Sequence, residues 1–119
     1  MNSAAVTIWH NPHCSKSRQT LQLLQEKGCQ TTVVRYLDNP PHRAELERVL
    51  ALLAMEPRQL LRTSEALYKE LHLQDGTVSR EALLEAMVAH PRLIERPVVI
   101  GPDWAAVGRP PENVLRHLT

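Results

Sequence analysis

Val6-Thr7-Ile8-Trp9-His10-Asn11-Pro12-His13-Cys14-Ser15-Lys16-Ser17-Arg18 opens the reading. Its first four residues are short, apolar and β-prone, and they run into a His-Asn-Pro turn, the pattern of a buried strand. Apolar positions then recur at helical spacing from Ser15 to Lys27, with Leu21 and Leu24 among them, and Gly28 supplies the stop. Thr31 to Leu37, rich in Val and Thr, reads as a second strand, closed by Asp38-Asn39-Pro40-Pro41. Strand, helix and strand within this length form a βαβ unit with parallel strands and a right-handed crossover.

The remainder follows from that unit. Arg43 to Met55 carries Leu46, Val49, Leu50 and Leu53 on one helical stripe; Arg58 to Arg62 suggests a helical turn. Ser64 to Leu71 and Ser79 to His90 each begin with a serine suited to a helix cap. Pro97-Val98-Val99-Ile100 reads as a third strand, Gly101-Pro102-Asp103 as a turn, and Trp104 to Val107 as a strand pairing back antiparallel. Pro111 to Leu118 is expected to form a last helix, with proline in its first turn. The order β-α-β, helical insert, β-β-α describes an α/β thioredoxin-like fold with a four-stranded mixed sheet. The expected organisation is one domain, 1–119, with the insertion at about 42–90.

Composition excludes several classes. The chain has 119 residues, 43% apolar and 23% charged, in the ordinary globular range. A net charge of +1 gives no electrostatic case for nucleic acid. The longest apolar run, Val49 to Met55, is too short to span a bilayer, and Met1 to Ala5 lacks the basic start of a signal peptide. A cytoplasmic monomer with no membrane partner is therefore expected. The two cysteines then suggest a reactive thiol or a buried bystander rather than a disulfide scaffold.

Cys14 is the residue on which chemistry centres. It sits at a helix start, where backbone N–H groups and the helix dipole favour a thiolate. Lowering an ordinary thiol to a pKa of about 6 requires about 3.4 kcal/mol, and a helix terminus supplies at best about 2 kcal/mol. Further donors or cations are needed. Asn11 and Ser17 are local donors; His10 and distant arginines are candidate cations. Cys29, after Gly28, reads as structural. Ser17 stands where a C-x-x-C motif would place its second thiol, and Thr20 stands where a C-x5-R phosphatase loop would place arginine. His10, His13 and Cys14 without a fourth ligand make a weak zinc signal, so no metal is expected.

Eleven arginines stand against three lysines, and arginine is the better fork for oxyanions. In a thioredoxin-like fold the loop before strand three lies beside the helix-one cysteine. Arg96 and Arg109 are thereby expected to converge on Cys14, an arrangement suited to a tetrahedral oxyanion. The Arg96-Pro97 bond is a candidate cis peptide.

Trp9 to Arg18, Tyr36 to Pro41, Leu60 to Arg62, Glu95 to Val99 and Arg109 to Glu112 together resemble the glutaredoxin-linked arsenate reductases, along essentially the whole chain. The resemblance is to the shorter chromosomal branch, without the C-terminal extension of long plasmid-borne members; His13 and Ser15 replace smaller residues of those members. It implies that Cys14 is the nucleophile, that His10 tunes it, that Arg62, Arg96 and Arg109 bind the oxyanion, and that Pro97 is the cis-proline. It also implies reduction of arsenate to arsenite, with glutathione and glutaredoxin as reductants and no bound cofactor. Two other readings stand beside it. One is another glutathione-linked thiol oxidoreductase. The other is a thioredoxin-like regulator binding a protein such as RNA polymerase, whose redox-sensing C-x-x-C is absent here.

Overall fold

A computed structural model describes residues 5–118. By internal packing the chain divides into two compact units: the chain up to Asn39 together with the chain from Arg96, and an inserted unit, Pro40–Glu95.

The first unit is built on a four-stranded sheet. β1 (Ala5–Trp9) is followed by helix α1 (Ser15–Glu26) and β2 (Gln30–Val34), with β3 (Val98–Ile100) and β4 (Ala105–Val107) after the insertion. The spatial order is β2-β1-β3-β4. β1 runs parallel to β2 and antiparallel to β3, which pairs antiparallel with β4. The mixed sheet and the β-α-β, insert, β-β-α order are those of the thioredoxin-like fold. Val6, Ile8, Val99 and Ala106 from the sheet, Leu24 from α1 and Val114 form one buried cluster. Alternation of side chains along β1 puts Val6 and Ile8 on that face together.

Register places the functional end of this unit. Trp9 is opposite both Val34 and Val98, and Val98 is opposite Val107. The end of β1, the start of β3 and the end of β4 therefore share one edge of the sheet. The segments leaving them, His10–Cys14, Arg96–Pro97 and Gly108–Arg109, emerge there together.

The inserted unit is helical: α2 (Arg43–Leu53), α3 (Pro57–Leu60), α4 (Ala66–Glu70) and α5 (Arg80–Ala89), then a 3-10 turn over Pro91–Leu93. Its core joins Leu46, Val49 and Leu50 of α2 to Leu83, Leu84 and Met87 of α5, all buried. Ser79 caps α5, its hydroxyl accepting from the Ala82 amide at 3.1 Å. The Arg62 amide donates to Leu93 O at 2.7 Å and the Glu95 amide to Leu60 O at 2.8 Å, tying the strand-like Leu61 and Ile94 together.

Three differences from the sequence reading go beyond small shifts of element ends. β2 ends at Val34 rather than Leu37, because the amides of Asp38 and Asn39 both close onto Arg35 O at 2.9 Å and turn the chain. α4 is capped at Glu65, not Ser64, and the Glu65 carboxylate binds Arg62 and Arg92 instead of a first-turn amide. The last helix is a 3-10 segment, Pro111–His117. Asn113 holds its start, donating from Nδ2 to Val107 O at 3.3 Å and to Arg109 O at 3.1 Å. The expectation about the N-terminus concerned residues that, but for Ala5, lie outside those described. No helix among the described residues is long and apolar enough to cross a membrane.

Candidate functional site

The turn after β1 is held by its own backbone and side chains. The His10 amide donates to Val34 O at 2.8 Å, carrying the β1–β2 pairing one residue further. Asn11 Oδ1 accepts from the His13 amide at 3.0 Å and Asn11 O from the Cys14 amide at 3.0 Å. This Asx-type turn delivers Cys14 to the N-cap of α1, in extended geometry, with Arg18 N donating to Cys14 O at 3.0 Å to begin the helix. Arg18 also donates from Nη1 to Pro12 O at 2.8 Å, fastening the turn to the helix it precedes.

Beneath the turn lies a buried polar pair. His10 Nδ1 is 2.6 Å from Ser17 Oγ, and the Asn11 amide donates to the same oxygen at 3.0 Å. His10 and Ser17 are buried. Burial first, then the charges of Arg35 and Arg18, hold the His10 imidazole below its usual pKa of 6.5. His10 is therefore neutral at pH 7. The sequence put it forward as a cation for Cys14; the structure corrects this, since a buried ring with two arginines in its field stays uncharged. Its hydrogen bond to Ser17 leaves it a role in fixing the first turn of α1.

Cys14 is buried, and its thiol is held below the ordinary 9.0. Burial is the largest influence and raises it; the Ser17 amide, the charge of Arg96, the Lys16 amide and the Arg109 guanidinium together outweigh that burial. Sγ closes no side-chain cap bond, so the two amides act as aligned donors at the helix start. Arg109 reaches the sulfur directly, its Nη1 at 3.8 Å, and the same nitrogen donates to Arg96 O at 3.1 Å. Arg96 is buried and Arg109 exposed, so one cation is fixed and the other faces solvent. The Arg96–Pro97 peptide is cis, and so is Arg109–Pro110, which the sequence reading did not single out.

His10, Asn11, Cys14, Ser17, Arg96 and Arg109 thus come together in the first unit. Arg62 belongs to the inserted unit, where its Nη1 donates to Glu65 Oε2 at 3.2 Å; Arg92 Nη2 meets the other carboxylate oxygen at 2.9 Å. Cys29 is half-buried, and burial pushes its thiol up, the opposite of Cys14. Among the described residues no group of three or more His, Cys, Asp or Glu side chains is placed to hold a metal ion.

Sequence reasoning missed Thr20, Gly108 and Asn113. A signal for Thr20 was present. The buried residues of α1 are Ser17, Thr20 and Leu24, and polar side chains on an inward helical stripe imply partners to be found. A buried thiol held below its ordinary pKa, beside one buried and one accessible arginine, is equipped to bind a small oxyanion and attack its central atom.

The family model described as ArsC matches residues 9–117. The chain is 52% identical over 111 residues to the uncharacterized protein YfgD of Escherichia coli K12, covering 92% of this chain and 93% of that protein. It is 46% identical over 115 residues to a protein named arsenate reductase in Haemophilus influenzae, covering 96% and 99% of the two chains. A solved structure titled arsenate reductase from Vibrio cholerae superposes with a TM-score of 0.93 at 48% identity, covering 97% of this chain and 98% of that one.

Proposed function

The chain belongs to the ArsC family, and from that premise we propose that it is an arsenate reductase in which Cys14 is the nucleophile. The observation that carries the reading is the Cys14 sulfur with Arg109 Nη1 at 3.8 Å, that nitrogen also donating to the Arg96 backbone carbonyl, and with the Arg96 charge lowering the thiol pKa. Arsenate binds to these guanidinium groups, whose forks match its oxygens. The Cys14 thiolate attacks arsenic, a sulfur–arsenic bond forms, and one oxygen leaves as water after taking up protons. Glutathione then attacks arsenic in the adduct and a second oxygen leaves as water, since Ser17 stands where a resolving cysteine would serve. A glutaredoxin thiol takes the glutathione sulfur, leaving two electrons on arsenic; water then replaces the Cys14 sulfur on arsenic, and arsenite departs as the Cys14 thiol is regenerated. The sum is one arsenate and two thiols giving one arsenite, one mixed disulfide and one water.

In this reading His10 and Asn11 hold Ser17 and the turn, so that the first-turn amides face Cys14. Pro97 holds the Arg96 end of the loop. Arg62 enters through the family resemblance, as a third oxyanion ligand. The reductants place the reaction in the cytoplasm, and the chain acts as a monomer.

The test is direct detection of arsenite. Purified protein with arsenate, glutathione and glutaredoxin is expected to release arsenite, and omission of either thiol to stop it. No arsenite with both thiols present overturns the reading. Arsenite formed without glutaredoxin overturns the proposed order of steps.

A further inference from the structure

α1 turns a partly polar face inward, and Thr20 is its least explained member. Thr20 is fully buried. Its single hydroxyl proton is shared between Lys16 O at 2.8 Å, one turn back, and Gly108 O at 3.3 Å, across the unit. The first contact is available to any threonine in a helix. The second joins the Cys14 helix to the residue before Arg109.

Gly108 is fastened from the other side as well. Its amide donates to Pro97 O at 2.9 Å. A Cβ placed there would lie 2.6 Å from Thr20 Oγ1, 3.0 Å from Thr20 Cγ2 and 2.9 Å from Pro97 Cγ. These separations are far inside the roughly 3.5–4.0 Å of ordinary packing. The β-branched Thr20 has little rotameric freedom to retreat within a helix. Position 108 is thus a point of three-way contact. It touches α1 through Thr20 and the Arg96–Pro97 segment through Pro97, and it carries Arg109 through its own peptide bond.

We propose that Thr20 and Gly108 form a positioning joint that fixes the Arg109 guanidinium against the Cys14 sulfur. Neither residue touches the sulfur. The absent side chain at 108 lets the β4 end lie close against α1, and that close approach sets where Arg109 begins. The consequence for arsenate binding rests on the proposed function; the joint itself rests on the contacts within this unit.

The experiment follows the pH dependence of Cys14 alkylation by iodoacetamide, in a Cys29→Ser background so that one thiol reports. Circular dichroism confirms that each variant folds. Arg109→Ala is expected to move the midpoint toward that of an ordinary thiol. Gly108→Ala is expected to give at least half of that upward shift, and to add nothing when Arg109 is already alanine. Thr20→Ala added to Gly108→Ala removes both Thr20 atoms in the way and is expected to return the midpoint at least halfway.

A folded Gly108→Ala protein with the unaltered profile overturns the proposal. So does a shift that persists in the Arg109→Ala background, or an Arg109→Ala profile that matches the parent. Should Gly108→Ala fail to fold, Thr20→Val carries the test. It keeps the shape and removes the hydroxyl, and an upward shift is expected; no shift overturns the joint. The readout uses no arsenate, so absence of arsenate turnover would overturn the proposed function and leave this result standing.

Discussion

Arg109 and Cys14 are 95 residues apart in sequence, yet a guanidinium nitrogen of one lies 3.8 Å from the sulfur of the other. The contact is a product of sheet register. β1 and β4 never pair, but both pair with β3, and that brings the end of β4 to the turn after β1.

The contact gives the first prediction. Removing one charge-assisted contact to a bound oxyanion costs about 1.5 kcal/mol, the lower end of the range for charged hydrogen bonds, because Arg109 is solvent-facing. Arg109→Ala is therefore expected to raise the KM for arsenate about tenfold. Arg96→Ala is expected to raise it at least as much without unfolding the protein. Steady-state kinetics with thermal melts distinguishes the two roles: a collapsed melt for Arg96→Ala would make that buried residue structural.

His10 predicts a pH dependence of stability. Its folded pKa lies below 6.5, lowered by burial and then by Arg35 and Arg18. Below 6.5 the unfolded chain takes up a proton there that the folded chain refuses. Stability is thus fully present above pH 6.5 and is lost as pH falls from 6.5 through the lowered value. His10→Gln removes this contribution. Urea unfolding at pH 7.5 and pH 5 is expected to show a smaller acid loss in the variant than in the parent. Equal losses would mean that His10 is protonated in the fold.

The inserted unit offers a prediction about stability alone. Ala54 ends α2 in the left-handed region, at φ 56 and ψ 43, and is exposed. A side chain there is strained by about 1–2 kcal/mol, while glycine adopts the conformation freely at a smaller entropic cost. Ala54→Gly is expected to stabilise by about 0.5–1 kcal/mol, a rise of about 2–4 °C in Tm. A lower Tm would contradict the C-cap geometry.

The sequence made some of this legible for identifiable reasons. The βαβ unit was visible because Val6 to Trp9 is too short and apolar for anything but a buried strand, and Gly28 marks the helix end. Cys14 stood out because it falls at the strand-to-helix turn. The arginines were found because two of them precede prolines at the expected edge of the sheet. Other features depended on contacts distant in sequence. The protonation of His10 depends on burial and on Arg35, which only the fold brings near. β2 stops at Val34 because two amides from the following turn compete for Arg35 O, and β-propensity through Leu37 does not record that competition. Glu65 displaced Ser64 as the cap residue while its carboxylate was engaged by Arg92, 27 residues on. Thr20 and Gly108 were silent because a glycine's importance lies in what a side chain there would strike.

The cysteines carry the central claim, and their substitution tests it most directly. Arsenate-dependent NADPH oxidation is measured with glutathione, glutaredoxin and glutathione reductase supplied, for the parent, Cys14→Ser and Cys29→Ser. The account predicts turnover in the parent, none above background in Cys14→Ser, and most of the parent rate in Cys29→Ser. Full activity in Cys14→Ser, or its loss in Cys29→Ser alone, would contradict it.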